Sequence, residues 1–181
     1  MTLPKKLIVA LFSVLLVFAG CSSQKQEVTD ADLYVSEEGA FKVYFESEPE
    51  LDQQIVSDAT LGDIPLYMFI DTITSTELFI VSYADYPQEF TDGADKDAML
   101  EGAANGALEG FGITFPEVSE KVALDGYNGF HFRGNSSEGF YADYYNYLVG
   151  NRLYQLLLMK ESSYPSEENV QKYIKSFQLL K

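Results

Sequence analysis

Apolar and polar residues alternate along much of the chain beyond residue 33, a pattern typical of half-buried β-strands. Phe41, Val43 and Phe45 alternate with more polar neighbours and predict an early strand, which Pro49 ends. A short strand is predicted to begin before it, at Tyr34. The other strands predicted in this half are a weak one at 51–60 and a hairpin formed by 64–73 and 77–83.

The apolar spacing changes to three and four residues between positions 99 and 111, which predicts one helix over 94–111. Asp92, Asp95 and Asp97 crowd its start, where carboxylates cap free N–H groups and complement the helix dipole. Gly102 and Gly106 either weaken this helix or permit close packing against a sheet. The apolar stripe comprises Met99, Leu100, Ala103, Ala104, Ala107, Leu108 and Phe111.

Turn signals and short alternating runs follow the helix. A short strand is predicted at 121–124, and strong turn signals follow at 125–126 (Asp-Gly) and 128–129 (Asn-Gly). In the next strand, Phe130 and Phe132 face one side, whereas His131 and Arg133 face the other.

The clearest hairpin joins strands at 140–149 and 152–159 through a Gly-Asn turn. Ser166 then predicts the N-cap of a last helix with apolar spacing i, i+3, i+4 and i+7. The order strands, helix, strands, helix predicts an α+β fold, an α/β/α sandwich with a central, mostly antiparallel sheet. The apolar stripe of the last helix comprises Val170, Tyr173, Ile174 and Phe177.

Residues 1–20 have the layout of an export signal, with a basic start and an apolar run at 7–18. This run is shorter than the roughly 20 residues that a membrane span needs. Ala19 and Gly20 directly precede Cys21, which resembles the bacterial lipobox, in which the cysteine is diacylated and the signal is cleaved before it. The alternative is an uncleaved N-terminal anchor with an incidental cysteine.

The lipobox resemblance predicts lipidation at Cys21, the only cysteine, so no thiol remains for a disulfide or a metal site. We expect residues 21–32 to be the lipidated cysteine and a polar tether, and residues 33–181 to be one domain. The protein is then a lipid-anchored component of the cell envelope that faces the exported side. Ser22 after the cysteine favours the outer membrane if the source has two membranes.

The chain is strongly acidic, with a formal net charge of −16 that becomes −18 without residues 1–20 and their two lysines. It has no basic stripe, so we expect no nucleic-acid binding. Such acidity serves solubility, or it attracts cations or basic partners. Nothing in the composition indicates an oligomeric state.

Several short motifs, taken in order, resemble the PsbP-like superfamily, including DcrB-type bacterial lipoproteins. They are F-x-V-x-F at 41–45, G-Y-x-G-x-x-F at 126–132, G-N-R-L-Y-Q-L at 150–156 and S-F at 176–177. The resemblance covers residues 33–180 and implies an α/β/α sandwich around an antiparallel sheet. It implies no catalytic set, because members are mostly assembly or binding factors. Some plant members bind manganese or calcium, but no ligand set of theirs can be matched here.

One strand face is a candidate binding surface, because alternate residues from 141 to 147 share it. Tyr141, Asp143, Tyr145 and Tyr147 are the candidate partner-binding residues, since tyrosine provides contact area with little loss of entropy. The alternative, which we favour, is that helix 94–111 or the C-terminal helix covers this face and the rings belong to the core.

Catalysis and tight metal binding have little support in the sequence. His131 is the only histidine, Arg133 beside it opposes protonation, and no nucleophile is evident, so no catalytic residue or enzyme activity is expected. The three aspartates at 92–97 lack the spacing of a calcium loop. The glutamates at 46, 48 and 50 are interpreted as a solvated rim, with weak cation binding as the alternative. We expect no cofactor and no metal site.

The sequence therefore favours a membrane-anchored envelope lipoprotein with a non-catalytic binding domain. Such a domain assists or stabilises a protein complex, and its envelope partner is not identified by the sequence. The alternative function is a small-ligand or divalent-cation (Ca/Mn) binding module that uses the acidic surface.

Overall fold

The computed structural model describes residues 28–110, 112–113 and 118–181. The predicted export signal, Cys21 and most of the tether lie outside these residues, as does Phe111 of the predicted helical stripe. Within the described part of the chain, no helix is both long and apolar enough to cross a membrane.

Ten strands and a few short helices make up the described chain. The strands are β1 (Leu33–Ser36), β2 (Phe41–Tyr44), β3 (Glu50–Asp58), β4 (Gly62–Thr74), β5 (Glu77–Asp85), β6 (Val118–Leu124), β7 (Tyr127–Asn135), β8 (Phe140–Val149), β9 (Arg152–Glu161) and β10 (Gln178–Leu179). The α-helices are α1 (Gln88–Gly93), α2 (Lys96–Gly110) and α3 (Glu167–Asn169), and a 3₁₀ turn covers Asp30–Asp32. A π-helical segment, Val170–Ile174, continues α3, and the two together are the C-terminal helix.

The strands form two antiparallel sheets. The main sheet has seven strands in the order β3-β4-β5-β9-β8-β7-β6, and the small sheet has the order β1-β2-β10. The β8–β9 hairpin runs in unbroken register from Phe140↔Glu161 to Val149↔Arg152, as its predicted turn required. The α+β class and the antiparallel sheet are confirmed.

Each face of the main sheet carries its own core. On one face, Phe41 and Val43 of the small sheet pack with Tyr173 and Phe177 from the C-terminal end of the chain. On the opposite face, α2 packs on β7 and β8. The buried residues of this second core include Leu100, Ala104, Leu108, Phe130 and Phe132. The predicted α/β/α layering therefore holds, with the difference that the small sheet shares one outer layer with the C-terminal helix.

The predicted helix at 94–111 corresponds to α2, and Asp95 caps it. The Asp95 carboxylate accepts hydrogen bonds from the backbone N–H groups of Asp97 (3.0 Å) and Ala98 (3.3 Å). Asp92 does not take part, because it lies in the separate short helix α1. Gly102 and Gly106 do not mark close packing, since a Cβ at either position would meet nothing within 4 Å.

The predicted Asn-Gly turn at 128–129 is wrong, because both residues lie inside β7. The turn before β7 is the Asp-Gly pair, where Asp125 has φ 50° and Gly126 has φ 87°. Gly129 has another role: a Cβ there would lie 2.1 Å from the carbonyl oxygen of Asn146 on β8. The glycine therefore permits close approach of two strands.

Candidate functional site

The candidate tyrosine face lies on β8 and points into the core, under the C-terminal helix. Asp143, Tyr145 and Tyr147 are 2%, 4% and 6% exposed. Tyr145 and Tyr147 share a buried cluster with residues of the C-terminal helix, and the Lys175 ammonium lies 4.3 Å from the centre of the Tyr145 ring. These three residues therefore agree with the alternative in which a helix covers this strand face.

Tyr141 differs from the other three, because it is only half-buried. Its ring packs edge-to-face against Tyr164, with 4.9 Å between ring centres. Partner binding by the four residues stays a prediction, and the exposed surface that it needs is missing at three of them.

His131 on β7 is the centre of a polar cluster that the sequence did not reveal. Its Nδ1 lies 2.9 Å from Glu120 Oε1, and its Nε2 lies 3.1 Å from Asp143 Oδ1. Its ring stacks on Tyr145 at 4.1 Å between centres and 11° between planes. Arg133 Nε approaches the second Asp143 oxygen at 3.5 Å.

Strand register explains this cluster. The Asp125-Gly126 turn sets Leu124 opposite Tyr127, and this register places Glu120 directly opposite His131. On the other side, Tyr145 of β8 lies opposite His131. Counting back from the turn would have found Glu120, but the strand was predicted to begin only at residue 121. The β7–β8 pairing places Asp143 near His131, and no turn motif as short as Asp-Gly indicates the register of that pairing in the sequence.

The cluster connects β6, β7 and β8 through the His131 ring. Both ring nitrogens of His131 are occupied by carboxylates and one ring face is covered, so a substrate has no direct access to the imidazole. Burial, together with the charge of Asp143, raises the pKa of Tyr145. Burial also raises the pKa of Tyr147 to about 12, so both phenols are neutral at physiological pH.

Glu46 ties the small sheet to the C-terminal helix, although a solvated rim was predicted there. Its Oε2 accepts hydrogen bonds from Lys172 Nζ (2.6 Å), Tyr44 Oη (3.0 Å) and Tyr173 Oη (3.1 Å). The bond from Lys172 lowers the pKa of Glu46 most. Glu48 and Glu50 are exposed, as a rim requires.

Each aspartate near α2 has its own hydrogen-bond partners. Asp97 pairs with Lys121 Nζ at 2.7 Å and accepts from Asn128 Nδ2 at 3.2 Å, and the Lys121 bond lowers its pKa. Asp92 accepts from the Gln88 amide at 2.7 Å. In the part of the chain that the structure describes, no group of three or more side chains has a metal-binding arrangement.

Strand β3 is the most exposed strand in the described part of the chain, although it was predicted only weakly. It forms one edge of the main sheet, and all nine of its residues are exposed. Leu51 and Ile55 are 64% and 56% exposed, although both are large apolar residues. An accessible strand edge of this kind is a recurrent protein-binding surface.

A cleft of about 560 Å³ lies beside the C-terminal helix, where the described chain begins. Acidic and basic side chains both line it, among them Asp30, Glu168 and Lys175. This mixture gives no single sign of charge that would select an anion or a cation.

The two sheets, their strand order and the helices on both faces define a PsbP-like α+β fold. The solution structure of cyanobacterial PsbP (CyanoP) from Synechocystis sp. PCC 6803 is similar, with a TM-score of 0.50 and 15% sequence identity. The match covers 84% of this chain and 95% of that one. The PsbP-like resemblance seen in the sequence is thus confirmed for the fold, and the DcrB-type subgroup stays a prediction.

Other comparisons add little. A crystal structure from Bacteroides thetaiotaomicron matches with a TM-score of 0.44 and 13% identity over 83% of this chain and 48% of that chain. That score is too low to add to the fold assignment. No family model matches the sequence, and no curated protein matches it.

Proposed function

We propose that this chain is an envelope lipoprotein, anchored through Cys21, whose PsbP-like domain binds another protein and assists or stabilises a complex. The observation that carries the non-catalytic part is the enclosure of its only histidine. Carboxylates engage both nitrogens of His131 at 2.9 and 3.1 Å, and Tyr145 covers one ring face at 4.1 Å. This arrangement joins three strands and leaves neither nitrogen of the imidazole free to act as a general acid or base.

The binding part of the proposal is supported by the PsbP-like fold, which the sequence resemblance associates with assembly and binding factors. The long exposed edge of β3 gives such a domain a place where a protein can dock. The anchoring part is supported by the export-signal layout of residues 1–20 and the small residues before Cys21. Two or more acyl chains hold a protein stably on a bilayer, so a lipidated Cys21 is a sufficient anchor.

In-cell crosslinking of the tagged full chain, followed by mass spectrometry, tests the proposal. We expect one reproducible membrane or envelope protein, and we expect Cys21→Ala to lose membrane retention or processing. Ser22→Ala is the matched control, because it alters the tether and keeps the cysteine.

Two results would contradict separate parts of the proposal. Unchanged size and membrane retention of Cys21→Ala would contradict the anchor. Absence of any reproducible partner, with the protein abundant and correctly anchored, would contradict the binding function.

A further inference from the structure

Strand β3 exposes a backbone edge as well as side chains. Ile55 lies opposite Pro65 of β4, and proline has no N–H, so these two residues form a non-hydrogen-bonded pair. Gln53, two residues earlier, has the same orientation, and its N–H donates to the Asp52 carboxylate (2.8 Å) instead of to β4. The N–H and C=O groups of the odd-numbered residues from 51 to 57 therefore point away from the sheet.

The edge lacks most of the features with which proteins usually prevent strand addition, although it carries three carboxylates. Within Glu50–Asp58 there is no proline, lysine or arginine, and its pairing with β4 contains no bulge. The other described edges are better protected. Strand β1 has four residues, β10 has two, and β6 carries Lys121, which is paired with Asp97.

The two faces of the edge differ in chemistry. Leu51 and Ile55 lie on the face that carries Phe69, and both are exposed. The opposite face presents the carboxylates of Glu50, Asp52 and Asp58 and one exposed apolar side chain, Val56 (48%). A strand added at this edge would meet apolar side chains on one face and mainly acidic side chains on the other.

We propose that β3 accepts an extended segment of a partner protein, with alternating basic and apolar residues, as an eighth strand of the main sheet. The inference rests on the proposed binding function and names the surface and the partner chemistry. The outward backbone groups supply the hydrogen bonds, Leu51 and Ile55 supply apolar contact, and the carboxylates select a basic segment.

A second copy of the chain is a poorer occupant of this edge. Antiparallel pairing of two β3 strands about Gln54 would set Glu50 of each copy against Asp58 of the other. Like charges directly opposite one another destabilise a strand pair. Each copy also carries a formal charge of −16, which opposes self-association.

Hydrogen exchange with a defined peptide tests the proposal on the full chain, purified in a mild detergent. The probe is a capped peptide of alternating lysine and valine, as long as β3 (nine residues). A glutamate–valine peptide of the same length is the control. We expect the lysine peptide to bind and to slow exchange at residues 51, 53, 55 and 57, and the glutamate peptide to do neither.

Variants distinguish hydrogen bonding of the peptide to the β3 backbone from general attraction between opposite charges. Gln53→Pro replaces an outward N–H by a proline ring without breaking the ladder to β4. Because an added strand must displace the Asp52 carboxylate from that N–H, we expect peptide binding to weaken by up to about tenfold. Gln53→Ala keeps that N–H and should bind like the wild type. Asp52→Lys should also weaken binding, which keeps the test valid if the proline variant folds poorly. Val35→Lys, at an exposed position (47%) on the short strand β1, should have no effect.

Three results would overturn the proposal. The first is exchange protection outside β3 with unchanged binding to Gln53→Pro, which would indicate general charge attraction. The second is no binding of the lysine peptide. The third is a dimer in sedimentation that Gln53→Pro abolishes, which would assign the edge to a second copy.

The docking proposal for β3 and the proposed binding function can be refuted independently. A crosslinked partner that persists in cells expressing Gln53→Pro would refute the edge and leave the binding function intact. Loss of every partner from the wild type would refute the function itself.

Discussion

Tyr145 shows at the scale of one residue why the tyrosine face belongs to the core. Its ring stacks on His131, lies under Lys175 and packs among residues of the C-terminal helix. We predict that Tyr145→Ala lowers the free energy of unfolding by about 3–5 kcal/mol, the usual cost of deleting a buried aromatic ring. Urea denaturation followed by circular dichroism measures this change.

Tyr141→Ala is the matched control on the same strand face. This ring is more exposed than that of Tyr145 and contacts Tyr164, so its loss should cost less, because less area is buried. A Tyr145→Ala variant as stable as Tyr141→Ala would contradict the core assignment and restore the exposed-face interpretation.

Glu46 provides a prediction about pH. Its pKa is lowered in the folded protein, so its stabilisation is present above the ordinary value of 4.5 and is lost as the pH falls through the lowered value. Glu46→Gln should therefore be less stable than the wild type at pH 7, by less than about 1 kcal/mol because the pair is partly exposed.

Thermal unfolding at several pH values measures the Glu46 effect. The difference between wild type and Glu46→Gln should shrink as the pH falls below about 4.5. Glu48→Gln, on the exposed rim, should show no such convergence. A difference that is independent of pH would mean that the Glu46 charge does not stabilise the fold.

Replacing two glycines of different elements by alanine should change stability in opposite directions. Gly129→Ala should lower stability by at least about 1–3 kcal/mol, because the new Cβ would meet the Asn146 carbonyl at 2.1 Å. Gly102→Ala should raise stability by about 0.5–1 kcal/mol, since it lies in α2 with open space around it. Melting temperatures of both variants test this, and a stable Gly129→Ala would contradict the close strand approach.

Asn146 connects α2 to the main sheet and gives a second prediction at the scale of elements. Its side chain is fully buried, accepts from the Phe130 N–H (3.0 Å) and donates to the Leu100 carbonyl (2.9 Å). Asn146→Ala should cost about 2 kcal/mol or more, because a buried N–H loses its partner. Hydrogen exchange should accelerate most in α2.

Asn128→Ala is the control for Asn146, since Asn128 makes only an exposed bond to Asp97 at 3.2 Å. Its exchange pattern should match that of the wild type. Uniform acceleration across the whole domain in Asn146→Ala would show that this residue does not hold α2 in particular.

Most elements could be predicted from the sequence, because their signals are local. Alternation predicted β2, and apolar and aromatic runs separated by turn residues predicted the β4–β5 and β8–β9 hairpins. The spacing of three and four predicted α2 and the C-terminal helix. Helix α1 and strand β10 are too short to show a period, with six and two residues. Gly129 misled the prediction because close strand approach and a turn both call for glycine.

The candidate site was harder to predict, because its geometry depends on contacts between distant parts of the chain. From the sequence, either amphipathic helix could cover the β8 tyrosines. The C-terminal helix covers them in the structure, and no local sequence signal indicates this choice. The His131 cluster joins Glu120 and Asp143 from two different strands. The edge position of β3 follows from the order of all seven strands, which alternation alone does not give.

The faces and the edge of the main sheet have different roles in the molecule. The C-terminal helix and α2 close the two faces of the main sheet, so the sheet faces contribute to stability. The edge at β3 remains open among the described residues, and it is both apolar and acidic. In our account, an anchored acidic domain recruits a basic segment through this edge.

Site-specific photo-crosslinking in the source cells tests this account most directly. A photoreactive residue replaces Gln53 on the β3 edge in one strain and Val35 on the small sheet in another, with Cys21 intact in both. We predict that the probe at position 53 captures the same envelope protein as whole-protein crosslinking, through a basic segment, and that the probe at position 35 does not. Equal capture from both positions, or none from Gln53 while that partner is still bound, would contradict it.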